Sequence, residues 1–295
     1  MPTNVSTEVD LIKNDWVHGA RELTVQALQG MKRLIEQYYT DDEEELTKFL
    51  LTASRAFAEA RPSMISIANS IATVPYLVMK RVHREKELRE CILEKIDLQL
   101  STLNKAFAGV VSNAANLVRN NSTIVTCSYS STVIEALIRA KKLGKSFNVL
   151  ALRSPSSNGS LEYARLTCKK LHEAELECEV VDEVSIKDSL RSFAFVGVDS
   201  IYPDGAVLNG SPTLRLAQEA SKQYCPFYVV SETWKINPLP LLGVNPAIES
   251  GMDIVLTELI TAIVTEYGLL ESGDVSAYAI DFSKRLKTVI SENRR

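Results

Sequence analysis

Apolar residues recur at helical spacing through roughly the first 120 positions. Between Asn14 and Tyr39 they fall at Trp16, Leu23, Ala27, Leu34 and Ile35, one buried stripe on a helix. A second helix is announced by Thr40 with Glu43 three residues on, a capping-box spacing, and Asp41 and Asp42 suit the positive end of its dipole. Leu46, Phe49, Leu50, Ala53, Phe57 and Ala60 share its inner face until Arg61-Pro62, where proline restricts its predecessor and sets off a third helix over Ser63 to Val78. A fourth, long helix is expected from Lys80 to Leu117, with the stripe Leu88, Cys91, Ile92, Ile96, Leu100, Leu103, Phe107, Val110 and Ala114. The charge run RVHREKELRE reads as its solvated face, because Glu85, Glu87 and Glu90 interrupt the basic residues.

The period changes after Asn120. Short β-branched runs appear at Ser122 to Cys127, Phe147 to Leu152, Leu176 to Val181, Phe193 to Val198 and Phe227 to Val230. Helical segments separate most of them, such as Ser130 to Leu143 closed by Gly144. Alternation of this kind predicts a parallel sheet built from right-handed crossovers, and the nearly continuous apolar runs AFVGV and FYVV predict helices on both faces. The expected organisation is therefore α/β: a helical amino-terminal domain over residues 1–120 followed by a parallel-sheet domain over 121–295. Ile254 to Val264, the longest apolar-rich window, is read as a buried helix interrupted by Thr257 and Glu258.

Charge removes one class of function. With 33 basic and 37 acidic residues the formal charge is −4, so no general basic field exists to neutralise nucleic-acid phosphates, and direct nucleic-acid binding is not expected. The opening MPTNVSTEVD has neither a basic start nor an apolar core, and no stretch approaches the roughly 20 apolar residues of a bilayer span; a cytoplasmic protein without membrane contact is expected. Five cysteines, odd in number and without a C-x-x-C pair, suit a reducing compartment and argue against zinc or a disulfide framework. Three histidines far apart (His18, His83, His172) make no metal centre, and no metal or cofactor is expected.

No G-x-G-x-x-G, Walker loop or G-x-S-x-G elbow occurs, so dinucleotide binding, P-loop chemistry and the α/β-hydrolase triad lack their signatures. Ligands of parallel sheets sit at the carboxyl ends of the strands, which singles out Cys127-Ser128-Tyr129-Ser130, Arg153-Ser154-Pro155, Asp199-Ser200 and Ser231-Glu232-Thr233. Asp199 is either a proton-transfer group or a turn carboxylate. Cys127 is either a reactive thiol or a small buried apolar group. SYSSTVIEAL offers hydroxyls and open amides at a helix start, which suits a phosphate as well as a plain N-cap.

Six segments in order, from Val17 to Gly268, resemble one family: the regulatory alpha, beta and delta subunits of eukaryotic initiation factor 2B, with ribose-1,5-bisphosphate isomerase and 5-methylthioribose-1-phosphate isomerase as enzyme relatives. HGARELTVQAL resembles the amino-terminal helix entry, ARPSM the Arg-Pro-Ser/Thr loop and TCSYSSTVIEAL the first strand-to-helix turn. VGVDSIYPDGAVLNGSPT resembles the Gly-Ala-Asp segment leading into Asn-Lys-x-Gly-Thr, PFYVVSETWKI a strand before Glu-x-x-Lys-Phe, and TELITAIVTEYG a carboxyl-terminal helix signature. The resemblance implies a helical domain joined to a Rossmann-like domain, homodimers, a sugar-phosphate or nucleotide pocket between the domains, and other initiation factor 2B subunits or initiation factor 2 as partners. It implies catalytic roles for Asp199 and for Cys127 or Ser128 only if the chain is an isomerase, and ligand contacts from His18, Gly19, Ala20, Arg21, Arg61, Ser130, Arg153, Asn209 and Lys235.

Three departures from the family pattern shape the expected function. Aligning Thr126 with the threonine of Thr-x-Cys puts Ser128 where the thiol belongs and Cys127 one residue early. Asn209-Gly210-Ser211-Pro212-Thr213 lacks the lysine of Asn-Lys-x-Gly-Thr, and Leu152-Arg153-Ser154-Pro155 shifts the arginine of Glu-Ser-Arg-Pro by one place. A hydroxyl is a far weaker acid than a thiol and needs its own base. The resemblance thus points to a non-catalytic, alpha-subunit-like protein working through protein contacts and a small phosphorylated ligand, with an aldose-ketose isomerase as the alternative.

Overall fold

The computed structural model describes residues 3–80, 87–156, 159–189 and 191–290. Helices α1 (Thr3–Lys13), α2 (Ala20–Gln37), α3 (Glu43–Ala58), α4 (Ile65–Met79) and α5 (Leu88–Leu117) come first. The chain then alternates: β1 (Ser122–Cys127), α6 (Ser131–Lys142), β2 (Phe147–Leu152), α7 (Tyr163–Glu173), β3 (Cys178–Val181), α8 (Ile186–Ser189), β4 (Phe193–Val196), β5 (Ser200–Ile201), β6 (Val207–Gly210), α9 (Thr213–Lys222) and β7 (Phe227–Val230). Strands β8 (Met252–Val255), β9 (Ala262–Thr265) and β10 (Gly268–Leu270) precede the last helix, α10 (Ser272–Leu286). This is a helical region followed by a mixed, mostly parallel α/β domain, as the two hydrophobic periods indicate.

The chain forms two compact units. One runs up to Lys105 and also takes in Trp234–Pro246 and the chain from Tyr278 on; the other is Ala106–Thr233 with Ala247–Ala277. In the helical unit, α4 is apolar nearly all round and buried along most of its length, so a single helical neighbour cannot cover it. Its Ile65, Ala68 and Ala72 pack with Leu239, Leu286 and Val289 from the two returning segments. Asn69, also on α4, donates both amide protons, to the carbonyls of Trp234 and Ile236 at 2.8 Å each. These contacts satisfy buried backbone and hold the returning segment in the helical unit.

In the α/β unit the main sheet has the order β10-β9-β7-β4-β1-β2-β3, parallel except for the β9–β10 pair. A second, antiparallel sheet has the order β5-β6-β8. Val110 and Ala114 of α5 and Val118 just after it, with Val133, Ile134 and Leu137 of α6, pack on Ile124, Val149, Phe193, Phe195, Val230 and Val264 of the strands. The chain runs outward from β1 through β2 to β3 and then crosses back to β4 on the other side of β1. The switch point lies between β1 and β4, where ligands of open parallel sheets bind.

Several sequence expectations are corrected. Ile254 to Val264 is no helix: it is the end of β8, a short 3-10 turn at Thr257–Leu259 and β9, and the TELITAIVTEYG segment is strand and hairpin. Its β-branched residues pair instead with neighbouring strands, Val255 with Val207 and Val264 with Val230. The N-cap of α3 is Asp42, whose Oδ1 accepts the amides of Glu44 and Glu45, while the Thr40 hydroxyl donates to Glu45. α2 starts at Ala20, because Asp15 accepts the amides of Val17 and His18 in a turn before it. The expected helix from Lys80 starts at Leu88 among the described residues, and the charged stretch Arg81 to Lys86 lies outside them. Disulfides were not expected, yet α7 and β3 bring the Cα atoms of Cys168 and Cys178 to 5.1 Å and their sulfurs are bonded. No helix among the described residues is long and apolar enough to cross a membrane.

Candidate functional site

The carboxyl ends of β1 and β4 carry most of the residues expected to act. Ser128, just past β1, has φ +60°, a conformation costly for a residue with a Cβ. Its surroundings hold it there. The Ser128 amide donates to Ser154 Oγ at 2.9 Å, and the Ser128 carbonyl accepts from Thr167 Oγ1 at 3.3 Å. Ser154 is itself tied down, its hydroxyl donating to the Leu152 carbonyl and its amide to Glu162, the N-cap of α7. The turn ends at Ser130, whose Oγ accepts the Val133 amide and caps α6. Thus the Ser130 hydroxyl serves the helix.

Cys127, the last residue of β1, is buried. Its Sγ lies 3.2 Å from Thr213 Oγ1, which also accepts from Asn209 Nδ2 at 2.9 Å and donates to the Gly210 carbonyl at 2.6 Å. The single Thr213 proton is committed to Gly210, so the thiol is the donor to Thr213. Burial pushes the Cys127 thiol up to about 12; the Thr213 contact opposes this and the charges of Asp253 and Glu183 add to it. Burial therefore favours the protonated thiol at neutral pH, in keeping with a small buried group.

Asp199 lies three residues beyond β4, with its amide donating to the Leu208 carbonyl at 2.9 Å. The pairing of Ser200 with Leu208 sets Asp199 beside Asn209 across the antiparallel ladder. On the other side of Asn209 the register brings Asp253, whose carboxylate accepts the Ser211 hydroxyl at 2.6 Å and the Leu214 amide at 3.0 Å. Two glycines complete the surface. A Cβ on Gly197 would stand 2.3 Å from Ser130 Oγ, and one on Gly210 would stand 3.0 Å from Ser128 Oγ. Ser128 and Gly210, the positions of the missing thiol and the missing lysine, are therefore neighbours.

At the end of β7, Glu232 is buried, and Glu266 accepts the Thr233 amide at 3.0 Å and the Thr233 hydroxyl at 2.6 Å. Burial raises the Glu266 carboxyl above its ordinary value and the charge of Glu232 raises it further, outweighing the hydrogen bonds that lower it.

Most of the other expected residues have partners within their own unit. Arg153 pairs with Asp182 on the exposed end of β2. In the helical unit, Arg61 donates to the Asp15 carbonyl at 2.7 Å and its guanidinium stacks 4.6 Å above the Trp16 ring. His18 Nδ1 is 2.7 Å from Asp15, and Gly19 donates its amide to Glu22 in the capping box of α2, which starts at Ala20. Arg21 reaches Asn104 at 3.0 Å. Lys235 is buried in the 3-10 turn Thr233–Lys235, between the two carbonyls that Asn69 holds. The structure thus gathers Cys127, Ser128, Ser130, Asp199 and Asn209 on the α/β unit and His18 to Arg21 with Arg61 on the helical unit. Thr213, Gly210 and Gly197 lie in matched motifs and Ser154 at a strand end already singled out, but none of them was named as a site residue; Thr167 and Asp253 had no motif, and nothing in the sequence links them to a turn 39 and 125 residues away.

A helical region followed by a switch-point α/β domain with this Ser128 turn defines the class, and comparison with known proteins defines the family. Residues 16–251 match the Initiation factor 2 subunit family, and the chain belongs to it. A Pyrococcus furiosus protein named for its likeness to translation initiation factor eIF-2B subunit 2 is 27% identical over 286 residues, covering 92% of this chain and 97% of that protein. Ribose 1,5-bisphosphate isomerase of Methanocaldococcus jannaschii is 24% identical over 282 residues, covering 88% and 89%. Among solved structures, a chain of the tetrameric eIF2B-beta2-delta2 complex from C. thermophilum superposes with a TM-score of 0.76 at 19% identity, over 94% of each chain.

Proposed function

We propose that this chain is a non-catalytic member of the family, resembling the initiation factor 2B alpha subunit, that works through protein contacts and a small phosphorylated ligand. The observation that carries the reading is the state of the β1 turn. The thiol one residue early is buried, which favours its protonated form, and the position expected to hold a reactive thiol bears the Ser128 hydroxyl, packed over Gly210 where the family has lysine. Losing a desolvated cation and an ionisable thiol removes both charge stabilisation and an acid-base group from one spot. The ligand, a sugar phosphate or nucleotide, is assigned to the carboxyl edge of the parallel sheet, where Ser128, Asn209 and the open amides at the start of α6 present donors.

Protein contacts are assigned to the β9–β10 edge of the same unit. Tyr267 and Leu269 are exposed there, with Leu256 nearby in sequence, and β10 is the edge strand of the sheet among the described residues. Homodimers and association with other initiation factor 2B subunits are the expected states. Sedimentation at micromolar concentration tests the first: a dimer that dissociates in Leu269→Asp is expected, and a monomeric wild type overturns it. Isothermal calorimetry with ribose phosphates and nucleoside monophosphates tests the ligand, with binding weakened in Asn209→Ala expected and no binding by either protein the contrary result.

The isomerase reading keeps one observation in its favour, the retention of Asp199 beside Asn209 at the switch point. Turnover of ribose-1,5-bisphosphate or 5-methylthioribose-1-phosphate that disappears in Asp199→Asn would establish it in place of the non-catalytic reading.

A further inference from the structure

Cys168 and Cys178 join α7 to β3, which among the described residues is the edge strand of the main sheet and pairs with β2. Cys168 is buried in a small apolar cluster with Ala151, Ala164 and Val180, whereas Cys178 is half-buried. Cys178 also lines a surface cavity of about 500 Å³ with His172, Glu175, Glu177 and Glu179. Both residues belong to one apolar cluster, and Cys178 is the more exposed of the two. A second tie between the two elements, the 2.9 Å contact of His172 Nε2 with the Cys178 carbonyl, does not depend on the bond.

The same helix holds the strained turn of the site. Thr167, the residue before Cys168, donates to the Ser128 carbonyl, and Glu162 at the start of α7 accepts the amide of Ser154, whose hydroxyl accepts the Ser128 amide. Both backbone hydrogen bonds that keep Ser128 at φ +60° therefore depend on where α7 sits. The disulfide ties α7 to the sheet near the middle of that helix.

We propose that the Cys168–Cys178 bond is a reversible thiol–disulfide link that sets the order of the Ser128 turn, with a small or protein-borne thiol as its redox partner. The partner's thiolate attacks Cys178 Sγ from the cavity, forming a mixed disulfide there and releasing Cys168 as a thiolate, which takes up a proton. A second thiol resolves the mixed disulfide and leaves Cys178 as a thiol. Two electrons and two protons pass to the protein, and the partner leaves as its own disulfide. Reduced Cys168 remains in an apolar environment that suits a thiol. The link to β3 is loosened without being lost, because the His172 contact remains. Three glutamates at the cavity favour an uncharged dithiol over anionic glutathione.

The test uses the full chain in oxidised and dithiothreitol-reduced forms, purified without reductant. Denatured protein should show three titratable thiols before reduction, five cysteines less the bonded pair, and five after it. Hydrogen exchange of the peptide containing the Ser128 amide should speed up at least tenfold on reduction and return on reoxidation with glutathione disulfide. Reduction by glutathione should be slower than by dithiothreitol at equal thiolate concentration. Cys178→Ser should exchange at the fast rate whatever the reductant; where that variant does not fold, the redox cycle of the wild type decides alone. Five thiols before reduction, or exchange at Ser128 that ignores the redox state of the wild type, would overturn the proposal.

Discussion

Replacing Gly197 by alanine probes the packing of the switch point directly. The backbone of Gly197 is not in the left-handed region, so the cost of a methyl group there comes from its neighbours alone. That methyl carbon would stand 2.3 Å from Ser130 Oγ and 2.5 Å from Ser130 Cβ, against about 3.5–4.0 Å for ordinary contact between carbons. Rotating the Ser130 side chain relieves only the first clash and gives up the cap on α6, which is worth about 1 kcal/mol. The Cβ clash moves only with the backbone, an overpacking cost of about 1–3 kcal/mol. Gly197→Ala should therefore lose about 2–4 kcal/mol. Ser130→Gly removes both colliding atoms and costs a few tenths of a kcal/mol as an N-cap change, roughly on the scale of other glycine caps. The double variant should accordingly recover to within about 1 kcal/mol of the wild type. Ser130→Ala keeps its Cβ and should rescue poorly. Urea unfolding followed by circular dichroism reads the loss, and fluorescence of Trp16 and Trp234, both in the helical unit, reports the other unit separately. A loss below 0.5 kcal/mol (about a twofold change in equilibrium constant), or the absence of rescue by Ser130→Gly, would refute the packing described here.

Thr213→Val leaves the Asn209 amide, the Gly210 carbonyl and the Cys127 thiol without their shared partner, and urea titration should show a loss of about 1–3 kcal/mol; an unchanged midpoint would contradict that network. Asn69→Ala strips two buried carbonyls of their donor and should cost about 2–4 kcal/mol, with a changed Trp234 emission as the local sign. Glu266 keeps its proton in the folded state to higher pH than in the unfolded chain, so the folded state binds more protons between the two values and stability falls as pH rises through that window. Glu266→Gln should flatten this dependence in urea titrations run from pH 4 upward, and an unaltered pH profile would count against it. Cys127 should follow the same sign at the alkaline end, losing stability between the ordinary thiol value and about 12, and should resist iodoacetamide at pH 8 until the protein unfolds.

The two hydrophobic periods made the architecture legible, because each records which face of an element is buried. β1, β2 and β7 have the bounds their β-branched runs suggest. Misreadings occurred where one pattern serves two structures. A run such as Ile254 to Val264 satisfies a buried helix and a buried strand alike, and only pairing with Val207 and Val230 decides. The Cys168–Cys178 bond escaped notice because an odd count and wide spacing carry no information about a helix folding back on its adjacent strand. At the site, Asp199 and the Ser128 turn could be found from strand ends, but the juxtaposition of Ser128 with Gly210 and of Cys127 with Thr213 depends on tertiary contacts more than 80 residues apart. Arg61, sought as a phosphate ligand, is held by the Asp15 carbonyl and the Trp16 ring, partners that its Arg-Pro setting does not reveal.

The central claim is that the departures at Ser128 and Gly210 leave the family fold without its chemistry. Purified wild type and Asp199→Asn, incubated at equal concentration with ribose-1,5-bisphosphate and with 5-methylthioribose-1-phosphate, test it most directly when ketose product is followed by phosphorus NMR. Both proteins should stay at the rate of the buffer alone. Product formed by the wild type and abolished in Asp199→Asn would contradict the account.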